Sequence, residues 1–193
     1  MQTKEAKDDI VPDRHFPPFI MNNPLRRLLW PPEKKLVEFV KEGYVAADIG
    51  SGPGYYTIPM AKMVSKRGKV YAIDSDERAI ERVKEKALRL KLNDVIIAEK
   101  GSAADLHMIE DNSVDFVLSN GTICCMAEHS AAAEEMSRIM KPSALAYVEV
   151  AKQPFANDPR AVSENEWREL LSIFQVMKED ESIFSRWAVV RRV

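Results

Sequence analysis

The sequence predicts an α/β fold: a doubly wound, mostly parallel seven-stranded sheet that ends in a C-terminal antiparallel hairpin. Strand-like and helix-like segments alternate along most of the chain, which is the pattern of β-α-β units. Several strand candidates, among them residues 70–73 and 116–118, are almost continuously apolar, as expected for parallel strands covered on both faces. Two late strand candidates joined by an acidic turn indicate the hairpin.

The elements follow from local signals, taken in chain order. A first helix is predicted from Pro32 to residue 42, because proline is tolerated in a first turn and Gly43 is a plausible stop. Ser163 and Glu166 form a capping-box pattern that opens a late helix ending near Phe174. The remaining predicted elements are strand 44–49, helix 55–65, strand 69–73, helix 76–91, strand 95–98, strand 114–118, helix 128–140, strand 144–150 and the hairpin strands 174–178 and 186–193.

Composition indicates one ordinary globular domain. The chain has 193 residues, 46% of them apolar and 30% charged, which suits a single core in residues 32–193. The net charge of −2 gives no global electrostatic reason to expect a nucleic-acid partner. No apolar run approaches the ~20 residues of a membrane span, so a cytoplasmic protein is expected. Cys124 and Cys125 are adjacent, which is typical neither of a disulfide framework nor of a metal site, and no metal is predicted.

A glycine-rich turn follows the first predicted strand, where residues 48–54 read Asp-Ile-Gly-Ser-Gly-Pro-Gly. Glycines let the backbone approach a bulky ligand closely and adopt positive φ, and the following helix start offers unpaired N–H groups. The spacing differs from the Gly-x-Gly-x-x-Gly of dinucleotide-binding turns, because Tyr55 or Thr57 stands where the third glycine would be. The turn therefore predicts a cofactor other than NAD.

The acidic-x-Gly-x-Gly-x-Gly pattern resembles the first motif of the class I S-adenosylmethionine-dependent methyltransferases, and the likeness extends over nearly the whole chain. Residues 69–74 are similar to the family's second strand, which ends in a ribose-binding acid. Residues 114–120 and 145–150 are similar to its fourth and fifth strands. The resemblance implies a Rossmann-like fold, S-adenosyl-L-methionine as the cofactor and methyl transfer as the activity.

The resemblance also implies which residues bind the cofactor. Asp48 would take the ammonium of the amino-acid tail, the glycine turn would approach the tail and ribose, and Asp74 would accept the ribose hydroxyls. Ser102 stands where the family often has an adenine-binding aspartate, and Asn120 would face both cofactor and substrate. The complete predicted set is Asp48, Gly50, Ser51, Gly52, Gly54, Tyr55, Asp74, Ser75, Ser102, Ala103 and Asn120.

These assignments have structural alternatives. Asp48 could be a solvent-exposed loop acid, and the glycines could form a tight turn without a ligand. Asp74 could cap the helix that begins near Asp76, a role that Ser75 or Asp76 could equally fill. Asn120 could form an Asx turn into Gly121.

No catalytic residue is assigned from the sequence. A sulfonium already activates the methyl group, so the implied reaction needs alignment more than acid–base chemistry. Residues 119–123 lack the Asn-Pro-Pro-Tyr/Phe type motif of enzymes that methylate amino groups of nucleic acids. A small-molecule methyl acceptor is therefore expected. An RNA methyltransferase of the same fold and a non-catalytic S-adenosylmethionine-binding module are the alternatives, and the oligomeric state stays open.

The N-terminal residues 1–31 read as an irregular arm that contains several prolines. Residues 14–30 carry too many apolar side chains for a disordered tail. We expect this part to fold over the cofactor site as a lid, since the crevice at the carboxyl ends of parallel strands benefits from closure to water. The alternative is that the same side chains pack on the back of the sheet for stability.

Overall fold

The computed structural model describes Leu29, residues 31–152 and residues 160–193. Seven strands form one sheet in the order β3-β2-β1-β4-β5-β7-β6. The strands from β3 to β5 run parallel, whereas β7 is antiparallel to both β5 and β6. The predicted fold class, including the C-terminal hairpin, is confirmed.

The strands alternate with helices as the sequence predicts. The strands are β1 Val45–Ile49, β2 Lys69–Asp74, β3 Ile96–Lys100, β4 Val114–Asn120, β5 Met140–Ala151, β6 Phe174–Glu181 and β7 Ser185–Arg192. The α-helices are α1 Pro32–Leu36, α2 Thr57–Val64, α3 Glu77–Arg89, α4 His129–Ile139 and α5 Glu164–Ser172, and two short 3₁₀ turns span Ser65–Arg67 and Ile123–Cys125.

Helices cover both faces of the sheet and bury one apolar cluster on each. On one face, Leu36 of α1, Ile58 of α2 and Val83 of α3 pack against the sheet around Phe116. On the other face, Met136 of α4 and the side chains of α5 close a second cluster. Successive side chains of a strand point to opposite faces of the sheet, which divides the buried side chains of the central strands between the two clusters. The helices thus cover the faces of the parallel strands and leave the strand ends open to ligands, whereas β6 is exposed beyond Phe174.

The largest departures from the predicted bounds are in α1 and β5, and β6 extends three residues beyond its predicted end, to Glu181. Helix α1 ends at Leu36, after which Phe39 and Val40 both donate their N–H groups to the Leu36 carbonyl in a tightened turn. Leu36 and Val40 remain buried, so the apolar spacing is satisfied without a longer helix. Strand β5 begins at Met140, because Met140 pairs with Val114 before a register shift, after which pairing resumes at Leu145.

The predicted N-terminal arm lies outside the described residues, apart from Leu29 and Pro31. Its expected role as a lid over the cofactor site therefore stays a prediction. Within the described part of the chain, no helix is both long enough and apolar enough to cross a membrane.

Candidate functional site

The candidate site lies at the carboxyl ends of β1 and β4. Strand β1 connects through α2 to β2 on one side, whereas β4 and β5 lie on its other side, so the chain order reverses between β1 and β4. Ligands of open parallel sheets bind in the crevice at such a switch point. Ile49 pairs with Ser119, which places the glycine turn and Asn120 on the two walls of this crevice.

The glycine turn adopts the backbone geometry that its residues permit. Gly50, Gly52 and Gly54 all have positive φ, at 75°, 51° and 84°. The N–H groups of Gly50 and Ser51 donate to the carbonyl of Ile73 at the end of β2, which anchors the turn to the neighbouring strand. The three alternating glycines thus bend the chain from β1 into α2.

Gly50 is also required by packing. A Cβ atom on Gly50 would lie 1.9 Å from Thr122 Oγ1 and 2.7 Å from Thr122 Cβ. The Thr122 hydroxyl donates to the Ile49 carbonyl at 2.7 Å, so the loop after β4 closes against the glycine turn. The absent side chain of Gly50 therefore makes room for a neighbouring loop of the protein.

Asp48 is buried behind the glycine turn, and the alternative of a solvent-exposed loop acid is wrong. Its side chain is 2% exposed, and Oδ2 accepts a 2.6 Å hydrogen bond from the Thr57 hydroxyl in the first turn of α2. Burial raises the pKa of Asp48 to about 7, the Thr57 hydrogen bond opposes this rise, and the Asp74 charge adds to it. A buried carboxylate of this kind favours a cationic group nearby.

Asp74, the last residue of β2, braces the glycine turn. Its Oδ2 accepts from the Gly52 N–H at 2.7 Å and its Oδ1 accepts from the Asp76 N–H at 2.8 Å. The N-cap of α3 is Asp76, whose side chain accepts from the Arg78 N–H. The capping alternative for Asp74 is therefore wrong, and its predicted ribose contact stays a prediction.

The other predicted side chains around the turn are mostly enclosed. Ser51 and Tyr55 are both 5% exposed. Tyr55 packs edge-on against the ring of Tyr56. Ser75 is half-buried between the last residue of β2 and the Asp76 cap. The structure thus brings these residues to the turn, and their predicted cofactor contacts stay predictions.

The segment after β3 forms a compact turn of its own. Ser102 Oγ accepts from the Ala104 N–H at 3.2 Å, and Ser102 and Asp105 form an isolated bridge. Ala103 is buried. The ring Nδ1 and the backbone N–H of His107 both donate to Asp105 Oδ1. These two hydrogen bonds hold the pKa of the Asp105 carboxyl below its usual value.

Asn120 ends β4 and does not use its side chain in a turn at Gly121. Its Nδ2 donates to Glu149 Oε2 at 2.7 Å, while the Gly121 N–H donates to the Glu149 backbone carbonyl. The same carboxylate oxygen accepts from Lys35 Nζ at 2.7 Å and from the Tyr147 hydroxyl at 2.9 Å. Asn120 therefore belongs to a polar cluster on the β4–β5 wall of the crevice.

Four residues of this arrangement were missed from the sequence: Lys35, Thr57, Thr122 and Glu149. Glu149 carries a signal, because it is a charged residue inside the apolar run of β5. The other three carry none, since a lysine in a surface helix and threonines in a first turn or loop are common.

The two cysteines lie in the 3₁₀ turn after β4. Cys124 is buried and Cys125 half-buried, and both thiols contact the Gly121 carbonyl. Over residues 31–152 and 160–193, no group of three or more His, Cys, Asp and Glu side chains is arranged to hold a metal ion. The thiols pack the loop after β4.

The fold and site together define a Rossmann-like protein with a glycine turn, a buried carboxylate and a strand-end acid at its switch point. The chain matches the model of the methyltransferase domain family over residues 47–148 and belongs to that family. This confirms the predicted class of S-adenosylmethionine-dependent methyltransferases and their cofactor.

The relatives agree with this membership. A solved S-adenosylmethionine-dependent methyltransferase from Aquifex aeolicus is 30% identical, with a TM-score of 0.78 over 93% of this chain and 100% of that one. A curated protein of Sulfurisphaera tokodaii, named as a probable cobalt-precorrin-6B C(15)-methyltransferase (decarboxylating), is 38% identical over 42% of each chain. The demethylmenaquinone methyltransferase of Staphylococcus aureus strain MRSA252 is 31% identical over 60% of this chain and 46% of its own. The chain thus spans less than half the length of these two curated relatives.

The described residues fit S-adenosylmethionine chemically. Its ammonium and sulfonium are cationic, and the buried Asp48 carboxylate and Asp74 supply negative charge on the β1–β2 side of the crevice. Within the turn, Gly52 has no side chain that would hold a ligand away from the backbone. The fit rests on the buried Asp48, which no cation contacts in the described part of the chain and whose charge a cationic ligand would neutralise.

Proposed function

We propose that this protein transfers the methyl group of S-adenosylmethionine to a small-molecule acceptor in the crevice between β1 and β4. The observation that carries the proposal is the buried Asp48 carboxylate directly behind a three-glycine turn at the switch point. The names of the curated relatives, which act on a precorrin and on demethylmenaquinone, support a small molecule. A cytoplasmic location is part of the proposal.

Each part of the site has a defined task in this function. Asp48 faces the ammonium of the amino-acid tail, the glycine turn lets the backbone approach the tail and ribose, and Asp74 receives the ribose hydroxyls. Ser102 and Ala103 contact the adenine. When bound, S-adenosylmethionine supplies a methyl carbon activated by its sulfonium. The protein then contributes alignment and exclusion of water.

The predicted arm completes the proposal as a cover for the crevice. Its apolar side chains in residues 14–30 would keep water from the reacting atoms. Deleting residues 1–22 should abolish turnover and reduce cofactor affinity only modestly. Full activity of the truncated protein would remove the lid from the proposal.

Binding and turnover test the function in sequence. Calorimetry should show S-adenosylhomocysteine binding and no comparable binding of NAD. Mass spectrometry should then detect methylation in a panel of quinols, hydroxylated aromatics, amines and thiols incubated with S-adenosylmethionine. Tighter binding of NAD would overturn the cofactor assignment. Methyl incorporation into total RNA, with none into the panel, would replace the small-molecule acceptor by RNA.

A further inference from the structure

One carboxylate organises the β4–β5 wall of the crevice. Glu149 Oε2 accepts three hydrogen bonds, from Lys35 Nζ, Asn120 Nδ2 and the Tyr147 hydroxyl, all within 2.9 Å. Burial alone would raise the pKa of Glu149, but the donors, Lys35 foremost, hold the pKa below its ordinary value. Glu149 is therefore an ionised group with fixed partners. Lys35, Glu149 and Asn120 are called here the 35–149–120 chain.

The 35–149–120 chain ends at the crevice. Asn120 follows Ser119, which pairs with Ile49, so its side chain stands across from the glycine turn. Lys35 Nζ lies 4.3 Å from the ring centroid of Tyr147 and 5.8 Å from that of Tyr56, the residue before α2. Polar and aromatic groups thus meet on this wall.

The aromatic side of this cluster continues along the sheet. Tyr147 stacks on Trp187 of β7, with ring centroids 5.5 Å apart and planes inclined by 14°. Trp187 is only half-buried. Tyr147 is 6% exposed and belongs to the core, so the aromatic surface available to a ligand is the half-buried Trp187 ring, with Lys178 Nζ 5.3 Å from its centroid. Beside the polar groups around Glu149, this ring suits a flat apolar molecule that carries a polar group at one edge.

The hydrogen bond from Asn120 settles the orientation of its amide. A carboxylate only accepts, so the amide nitrogen must face Glu149. The amide oxygen then lies on the other branch of the planar group, and no described residue donates a hydrogen bond to it. Because β5 and β1 flank β4 on opposite sides, an amide nitrogen turned toward β5 leaves the oxygen for a ligand in the crevice.

Stability alone does not explain this arrangement. Half-buried ion pairs contribute little net stability, since desolvation of the two charges offsets most of their attraction. What the pair does provide is one fixed amide orientation at the wall of the site. A fixed hydrogen-bond acceptor is useful where a substrate must be aligned to within a fraction of an ångström.

We propose that the 35–149–120 chain is a recognition device for the methyl acceptor, which is a planar, largely apolar molecule bearing a hydroxyl group. The amide oxygen of Asn120 accepts the hydrogen bond of that hydroxyl. Glu149 and Lys35 are positioning residues that act through Asn120. The inference rests on the proposed function, since it assigns this wall of the crevice to the methyl acceptor.

Ligand binding tests the inference without any turnover. The probes are 1-naphthol and 1-methoxynaphthalene, which share the ring system and differ in the O–H donor. Each is titrated by calorimetry into the full-length protein saturated with S-adenosylhomocysteine. We expect 1-naphthol to bind at least tenfold more tightly than the ether. Equal affinity would overturn the inference, whereas failure of S-adenosylhomocysteine to bind would instead overturn the proposed function.

Variants then test the positioning roles. Asn120→Ala, Glu149→Gln and Lys35→Met should each reduce the preference for 1-naphthol over 1-methoxynaphthalene. Lys35→Arg keeps a cation at this position and should retain the wild-type preference. In the Asn120→Ala background, Glu149→Gln should cause no further loss, because Glu149 acts through the missing amide. Additive losses in this double variant would contradict the positioning role.

The pair of Lys141 and Asp115 provides a matched control. Its N–O distance is 2.7 Å, the same as between Lys35 and Glu149, and the side chains are 42% and 21% exposed against 28% and 22%. It lies at the amino-terminal ends of the strands, because Asp115 accepts from the Val45 N–H. Lys141→Met should leave the preference for 1-naphthol unchanged. A loss equal to that of Lys35→Met would show a general effect on folding and sink the inference.

A pH series adds a readout that a purely structural role would not move. The groups facing Glu149 are Lys35, Tyr147, Ser185 and the Asn120 amide. Tyr147 in turn faces Tyr56, whose charge when ionised raises the pKa of Tyr147. Wild-type preference for 1-naphthol should be flat from pH 5 to 8, since Glu149 stays ionised. In Lys35→Met, burial raises the Glu149 pKa, so the preference should fall as the pH is lowered. A flat profile in Lys35→Met would contradict the role of Lys35.

Discussion

Asp48 shows how a single ligand-binding residue lowers the stability of the ligand-free protein. Its carboxylate is buried with the Thr57 hydroxyl as hydrogen-bond partner, and no cation contacts it among the described residues. The charged form is therefore disfavoured in the ligand-free protein, while a cationic ligand would favour it. Stability and ligand affinity place opposite demands on this side chain.

Asp48→Asn should separate these demands. Asparagine keeps an oxygen for the Thr57 hydroxyl and removes the buried charge, so the ligand-free protein should gain on the order of 1–3 kcal/mol at pH 8. The same change should weaken S-adenosylmethionine binding tenfold or more. Denaturant unfolding and calorimetry measure the two effects. A variant that is both less stable and normal in affinity would contradict this account of Asp48.

The pH dependence follows from the raised pKa. The pKa of Asp48 is about 7 in the folded protein, against 3.8 for an ordinary aspartate, because burial disfavours its charged form. Between these values the folded state binds more protons, so this group lowers the stability of the ligand-free protein as the pH rises from about 4 to 7. Asp48→Asn should abolish that part of the pH dependence. An unchanged slope would show that Asp48 titrates normally.

Gly50 and Gly54 allow a comparison between steric exclusion and backbone strain. Both have positive φ, but a Cβ on Gly50 would meet Thr122 at 1.9 Å, whereas one on Gly54 would meet Val83 Cγ2 at 3.3 Å. Gly50→Ala should therefore destabilise the fold by about 1–3 kcal/mol more than Gly54→Ala. Adding Thr122→Gly should recover part of the difference. Denaturant unfolding measures both variants. If Gly50→Ala and Gly54→Ala destabilise the protein equally, backbone strain at positive φ would alone account for the loss of stability.

The sequence predicted the glycine turn and both acids at this scale, because their residue types and spacing carry the information. It did not predict that Asp48 is buried or that Thr122 fills the space beside Gly50. The Thr122 contact joins residues 73 positions apart, and the burial of Asp48 depends on the strands that pair with β1 on either side. Glu149 could have been suspected from its charge inside an apolar strand, but its partner Lys35 could not.

Among the elements, α5 is the one whose start the sequence defines most sharply. Ser163 Oγ accepts from the Glu166 N–H, and the Glu166 carboxylate accepts from the Ser163 N–H. Both hydrogen bonds of the predicted capping box are therefore present. The ends of α1 and β5 were less predictable, because a tightened turn and a register shift settle them through tertiary pairing.

Ser163→Ala should destabilise the protein by about 1 kcal/mol, the usual cost of losing an N-cap. Ser172→Ala on the same helix is the control, since Ser172 is exposed and its hydroxyl donates to the Glu169 carbonyl within the same helix. That control should change stability by less than about 0.5 kcal/mol. Urea unfolding of both variants checks the difference. If the two alanines cost the same, the cap would not stabilise α5.

At the scale of the whole molecule, the site joins segments distributed over most of the sheet. The glycine turn, Asp74 and Asn120 come from three different strands, and only the complete sheet brings their ends together. A ligand that contacts all of them binds the folded state alone. Binding should therefore raise the stability of the entire domain.

S-adenosylhomocysteine should raise the midpoint of thermal unfolding. At a concentration 100 times its dissociation constant, the ligand adds about 2.7 kcal/mol, which corresponds to roughly 5–10 °C for a chain of this size. NAD at the same concentration should produce no comparable shift. Differential scanning calorimetry measures both. A shift with NAD equal to that with S-adenosylhomocysteine would contradict the cofactor assignment.

The antiparallel hairpin also constrains the route by which the sheet assembles. Strand β7 lies between β5 and β6, so β6 has no neighbour in the sheet until β7 is in place. During refolding, residues 145–151 of β5, which pair with β7 in the finished sheet, keep an unpaired edge until the hairpin docks. An open edge of that length can pair with another unfolded copy of the chain. Refolding yield should therefore fall steeply as protein concentration rises, even though the finished sheet covers this edge.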